Sequence, residues 1–172
     1  MDGNVLFLSV PDEESYSVGM RGAAGFLADL REREKLSYDL LIDLEPMGRD
    51  EKGQEAMCKN RRTSGGSWQF RKIKRASEAA GCTVKKVHYF TGISDLSYCG
   101  TCGDMDFSGY AAETPLWSGG YQVDFNEIGK LNIPAVLMGP WGKDIHRRTE
   151  RVNRKSLLVE LPEILHTLIE NM

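Results

Sequence analysis

The 172-residue sequence predicts an α/β fold in which helices cover a mainly parallel sheet. Three observations carry that expectation. Apolar runs of strand length recur along the chain and are nearly continuous rather than alternating, as in strands buried on both faces. The segments between them repeat their apolar residues at helical spacing. The two kinds of segment alternate, and no internal repeat or low-complexity tract interrupts them.

The first run, Val5–Val10 (VLFLSV), reads as a strand that leads directly into Pro11, Asp12, Glu13 and Glu14. From Ser17 to Glu34 the residues Val18, Ala23, Phe26, Leu27 and Leu30 share one helical face. Tyr38–Leu44 (YDLLIDL) is a second buried strand, stopped by Glu45 and Pro46. Residues 47–66 are polar, charged and without period, so they are expected to be an irregular junction. Trp68–Ala80 resumes helical spacing, Gly81 stands where a helix stops, and Val84–Phe90 is a third strand. Thr91–Gly120 is glycine-bearing and irregular. Val123–Lys130 then reads as a short helix and Ile133–Met138 as a short strand. Arg151–Met172 closes the chain as an amphipathic helix carrying Val152, Leu157, Leu158, Leu161, Ile164, Leu165 and Leu168.

This length suits one domain with its own core, so residues 1–172 are expected to form a single unit. Hydrophobic content of 41%, charged content of 27% and a net charge of −3 are ordinary for a soluble globular protein and imply neither a nucleic-acid nor a membrane partner. The N-terminus lacks a basic region and a cleavage site, and no apolar run approaches the ~18 residues of a membrane span; a cytoplasmic location is expected. Cys58, Cys82, Cys99 and Cys102 are too few for a disulfide framework. Cys99 and Cys102 have the C-x-x-C spacing of zinc knuckles, but no second pair supplies the other two ligands, so they read as loop cysteines. The basic residues around Trp68 and Phe70 read as a solvated helix face.

In open α/β sheets, ligands sit beyond the carboxyl ends of the strands. Asp12, Glu13 and Glu14 follow the first strand, Glu45 follows the second, and His146 follows the strand ending at Met138. Adjacent carboxylates divide labour in metal hydrolases: one binds the cation while its neighbour serves as general base to the bound water. The plainer reading of the acids is a solvated turn whose charge favours a helix N-terminus. That of His146 is an exposed loop histidine. His88 and His166, inside a strand and a helix, read as structural.

Taken in order, VPDEE, the strand-ending LEP, GISDLSY and GPWGKDIHRRTERV resemble the dinuclear zinc aminoacylase and carboxypeptidase G family. This family also holds the acetylornithine deacetylases and succinyl-diaminopimelate desuccinylases. The resemblance covers most of residues 4–46 and 70–170 and points to the family's arginine-utilisation branch. It implies a three-layer α-β-α, zinc-exopeptidase-like fold and hydrolysis of a small peptide or N-acyl amino acid. Glu13 matches the general base and Glu14 a ligand of one metal. Glu45 matches a ligand of the other metal, and His146 the late histidine that shares a metal with Glu14. Ser94 and Asp95 match the segment beside the substrate pocket, although Leu96 stands where many relatives have glycine. Zinc is the implied metal, with cobalt or manganese as substitutes.

The sequence also departs from the family. The His-x-Asp ligand histidine and the bridging aspartate of intact relatives have no counterpart, and residues 47–66 stand where relatives insert a lid and dimerisation domain. A catalytic zinc takes three protein ligands, so two expectations stand side by side. One is a metal-dependent amide hydrolase. The other is a metal-free, truncated relative that acts through self-association or a partner. A homo-oligomer is expected in either case.

Overall fold

In the computed structural model, α/β architecture is present, built on a mixed sheet. The structure describes residues 3–13, 16–50, 52–59, 68–87, 94–101 and 106–172, with side chains throughout except at 50 and 57–59. Where a single unit was expected, the chain groups into two. One comprises described residues of 1–7, 40–93 and 134–172, the other those of 8–39 and 94–133.

The first unit holds the sheet. Strand β1 (Leu41–Asp43) is followed by a hairpin of β2 (Arg49–Asp50) and β3 (Gly53–Lys59), then helix α1 (Trp68–Ala79) and β4 (Val84–Val87). The later strand β5 (Ala135–Leu137) lies parallel to β1, pairing Ile42 with Val136, and antiparallel to β3, pairing Cys58 with Val136. Strand β4 runs parallel to β3 on its other edge, with Ala56 opposite Lys86. The sheet holds two parallel pairs and two antiparallel pairs. The cause is β3, which occupies part of the stretch expected to be irregular. Its Gln-Glu-Ala-Met-Cys-Lys sequence carries no hydrophobic period, and its place comes from ladder bonds to three neighbours.

Ala56, Ile73, Ala76, Val136, Met138, Leu161, Ile164 and Leu168 form the core of this unit, where α1 and the closing helix α2 (Leu161–Glu170) pack together. The closing helix begins after Asn153, whose Oδ1 accepts the Ser156 N–H at 2.9 Å. It is π-wound over Ser156–Glu160, with the Leu161 N–H bonded to the Ser156 carbonyl. Pro162 explains the widening: it has no N–H to give to a carbonyl one turn back, and its ring crowds that carbonyl. Arg151 and Val152, expected in this helix, form β7, which pairs with β6 (Gly142–Lys143).

The second unit is helical. Helix α3 (Val18–Glu34) packs against α4 (Phe125–Leu131) and a 3₁₀ turn, Asp95–Cys99; a short helix, α5 (Ser108–Glu113), lies between them in sequence. The inward face of α3 is Met20, Ala23, Ala24, Leu27 and Ala28. Val18 and Phe26, expected inside, are about half exposed. Three alanines let α3 approach its neighbours closely around Met20 and Leu27, and Val18 and Phe26 lie off that face. Arg31 of α3 donates to the Lys130 and Leu131 carbonyls at 2.9 and 2.6 Å, capping the C-terminus of α4. Asp124 caps its N-terminus, accepting from the Asn126 and Glu127 N–H groups.

The expected first strand is not one. Residues 3–10 join no ladder, and Val5, Leu6 and Phe7 are 65%, 54% and 84% exposed. A strand-competent pattern becomes a strand only when an edge accepts its backbone groups. Strand β1 pairs on one side only, with β5, and no described residue pairs with 3–10. Among the described residues, no helix is long and apolar enough to cross a membrane.

Candidate functional site

The residues singled out in the sequence fall in both units, and each group is described within its own.

In the first unit, Glu45 is half-buried in the segment after β1, which continues alongside the chain leaving β5. The Met138 N–H donates to the Asp43 carbonyl at 3.0 Å, and the Met47 N–H to the Pro140 carbonyl at 2.9 Å. Between these bonds, Gly139 lies so near Glu45 that an added Cβ would come within 2.5 Å of the Glu45 carbonyl carbon. Glycine at 139 is what lets the Glu45 backbone lie there.

His146 sits in the 144–150 loop between β6 and β7, exposed, with a positive φ of 64°. Its N–H donates to Glu150 at 3.0 Å. Asp144 accepts from Thr149 at 3.0 Å and pairs with Arg151, and those two partners hold its carboxyl below the usual range. A cleft of about 470 Å³ is lined by Leu44, Pro46, Pro140, Glu150, Arg151, Val152, Leu157 and Leu161. Glu45 and His146 are not themselves among the lining residues; Leu44 and Pro46, on either side of Glu45, and Glu150 and Arg151, after His146, are.

The second unit holds Glu13, Ser94 and Asp95; Glu14 lies outside the described residues. Glu13 stands in a tight turn rather than at the end of a strand. Asp12, Tyr16 and Ser17 have φ values of 57°, 67° and 48°. Aspartate tolerates this region, whereas each strained residue of the other kinds costs about 1–3 kcal/mol. The Ser17 N–H and hydroxyl both donate to the Glu13 carbonyl, at 3.2 and 3.3 Å, and the Gly19 N–H donates to the Pro11 carbonyl at 3.1 Å.

Ser94 is buried and accepts the Leu96 N–H at 3.2 Å, opening the 3₁₀ turn. Asp95, 9% exposed, has its Oδ1 buried with no hydrogen-bond partner among the described residues. Burial pushes its carboxyl up from the usual range, and a hydrogen bond with the Ser17 side chain pulls it partly back. Cys99, expected in a loop, is buried at the end of this turn, its Sγ 3.8 Å from the Asp95 carbonyl; Cys102 lies outside the described residues.

The structure thus ties Ser17 to the Glu13 carbonyl, and brings the residues flanking Glu45 and those following His146 to one cleft. Sequence reasoning missed Ser17, Gly19 and Gly139. The available signal was a glycine inside a helical pattern and another after a strand, which mark close backbone approach. Among the described residues, no three His, Cys, Asp or Glu side chains gather as a set able to hold a metal ion. The described donors therefore do not by themselves fit the dinuclear zinc group.

No family model matches the chain. Over 90 residues, 52% of its length, the chain is 34% identical to the Uncharacterized protein YqjN of Bacillus subtilis strain 168. Over 94 residues, 53% of its length, it is 32% identical to Protein RocB of the same organism. Each match spans 16% of the relative's length, so what the chain shares with these proteins is a limited part of them.

Proposed function

We propose that the chain is a catalytic-type domain of a metal-dependent amide hydrolase, of the arginine-utilisation kind, acting on small peptides or N-acyl amino acids. The observation that carries this reading is the cleft lined by Leu44 and Pro46, which flank Glu45, and by Glu150 and Arg151, which follow His146, beside the partial likeness to RocB. Glu13 is the proton carrier: it takes a proton from the attacking water and returns it to the leaving nitrogen. Glu14, Glu45 and His146 are the residues that would hold the metal, and zinc, with cobalt or manganese as substitutes, would supply charge stabilisation there. The described residues do not complete a ligand set, so metal binding would need further donors.

The test is hydrolysis of N-acyl amino acids, N-acyl arginine among them, after chelation and after re-addition of zinc, cobalt or manganese. Metal-restored turnover is expected. Stoichiometric metal without turnover on any of these substrates counts against the reading.

A second reading is favoured by a different observation, the contiguous exposure of Val5, Leu6, Phe7 and Leu8. Such a strand-competent apolar run suits a domain that works by self-association. It entails an oligomer in light scattering that Phe7→Asp converts to a monomer; a wild-type monomer sinks it.

A further inference from the structure

Two runs of the first unit lie side by side. One, 43–49, carries Glu45; the other, 138–142, leads into the pair β6 and β7, whose connecting loop carries His146. The Met138, Met47 and Gly142 N–H groups join them, donating to the Asp43, Pro140 and Met47 carbonyls at 3.0, 2.9 and 3.0 Å. Glycine permits the approach at 142 as at 139, since a Cβ there would fall 2.7 Å from Pro46 Cβ.

Arg49 stands at the end of this contact, with 26% of its side chain exposed. Its Nη2 donates to Glu160 at 2.6 Å and to Gln54 Oε1 at 2.8 Å, and its guanidinium lies over the Trp141 ring, 5.4 Å from the centroid. Arg49 Nε is buried without a hydrogen-bond partner among the described residues, so the hold rests on Nη2 and the ring face. Trp141 is fixed in turn: its N–H donates to Ser156 Oγ at 2.9 Å, and its carbonyl accepts the Asn153 N–H at 2.7 Å. The Ser156 hydroxyl donates to Gln54 Oε1 at 3.3 Å, which fills the second lone pair of that oxygen. Gln54 Nε2 donates to the Gly139 carbonyl, back on the second run. Arg49, Gln54, Ser156 and Trp141 therefore form a closed circuit.

We propose that Arg49 is a positioning residue: it locks the run carrying Glu45 against the run leading to His146, and thereby sets the walls of the cleft without lining it. Pro46, Pro140, Glu150 and Arg151, which do line the cleft, lie on these runs or on the strand pair they lead into. Arginine suits the place because one group must meet a carboxylate and offer a flat face to an indole. The lock stands on the contacts above; its consequence for hydrolysis rests on the reading of this cleft as the site.

The test is amide hydrogen exchange on the full chain, resolved at Gly142, Asn153 and Leu41. The first two amides bridge to the locked segments, whereas the Leu41 N–H donates to the Pro134 carbonyl at 2.9 Å, away from Arg49. In Arg49→Met, Lys155 at 3.2 Å still pairs Glu160, so no buried charge is stranded. Arg49→Met is expected to lose about tenfold in protection at Gly142 and Asn153, with Leu41 unchanged. Trp141→Leu is expected to lose about threefold or more at the same amides, and Arg49→Met/Trp141→Leu to match the larger single loss. Wild-type protection in Arg49→Met, an equal loss at Leu41, or a double loss equal to the product of the single ones overturns the proposal. Should Arg49→Met fail to fold, Arg49→Lys decides, because it keeps a cation for Glu160 and loses the flat guanidinium: about threefold loss is expected, and wild-type protection contradicts the lock.

Kinetics on N-acyl amino acids form a separate arm. Arg49→Met is expected to lower kcat by about tenfold, with partial recovery in Arg49→Lys; wild-type kcat in a variant that has lost protection overturns the positioning role. Absence of turnover in wild type sinks the hydrolase reading and leaves the exchange result standing.

Discussion

The three glycines of α3, Gly19, Gly22 and Gly25, stand in different surroundings. At Gly22 and Gly25 an added Cβ meets nothing within 4 Å. Alanine there is expected to stabilise by about 0.5–1 kcal/mol each, through propensity and a less flexible unfolded chain. At Gly19 the same Cβ falls 2.6 Å from Pro11 Cδ and 2.7 Å from Pro11 N, and nearer still to the Pro11 carbonyl oxygen that accepts the Gly19 N–H. Contacts under 3.0 Å force a shift, and here the obstacle is backbone and a proline ring. Residue 11 must retreat, breaking that hydrogen bond and loosening the turn that carries Glu13. Overpacking costs about 1–3 kcal/mol and the hydrogen bond about 1 kcal/mol, against about 1 kcal/mol returned by propensity. The net loss is about 1–3 kcal/mol. At 2–4 °C per kcal/mol for a chain of this size, Tm falls by roughly 2–12 °C. Thermal unfolding of the three alanine variants side by side is the assay: Gly22→Ala and Gly25→Ala rise and Gly19→Ala falls. Equal rises in all three would refute the account of the turn.

Gly139→Ala drives a Cβ against the Glu45 backbone and is expected to lower Tm by roughly 4–10 °C in the same assay, from about 2–3 kcal/mol of overpacking. Glu160 sits in the π-wound stretch with 10% of its side chain exposed, 2.6 Å from Arg49 and 3.2 Å from Lys155. Burial alone would raise its carboxyl, but hydrogen bonds and charge from Arg49 and Lys155 prevail and hold it below its ordinary 4.5. Its contribution is therefore complete above pH 4.5 and lost as pH falls through the lower folded value. Urea unfolding from pH 7 to 3 should show Glu160→Gln less stable at pH 7, by about 1–3 kcal/mol, with the gap closing in acid. Asp124→Ala removes the cap of α4 and should cost about 1 kcal/mol, seen as faster amide exchange at Asn126 and Glu127.

What was legible in the sequence was whatever local periodicity encodes. Helices at 18–34 and 68–79 were expected within a residue or two, because their amphipathic spacing and glycine stop act locally. Strand β5 was visible as an unbroken apolar run. Strand β3 was not, since its residues carry no period and its partners are distant in sequence. Residues 3–10 failed in the opposite sense, with the pattern of a strand and no edge to accept it. At the site, the acids were legible as chemistry, yet the positive φ values at Tyr16 and Ser17 and the close approach of Gly139 to the Glu45 backbone, 94 positions away, are encoded by no local pattern.

The central claim is that Glu13 moves the proton in a metal-dependent amide hydrolysis. Its most direct test compares wild type with Glu13→Gln in metal-supplemented hydrolysis of N-acyl arginine, with metal content measured in both. The account predicts a fall in kcat of about 10²–10⁴ with metal content unchanged. Turnover in Glu13→Gln equal to wild type would contradict it.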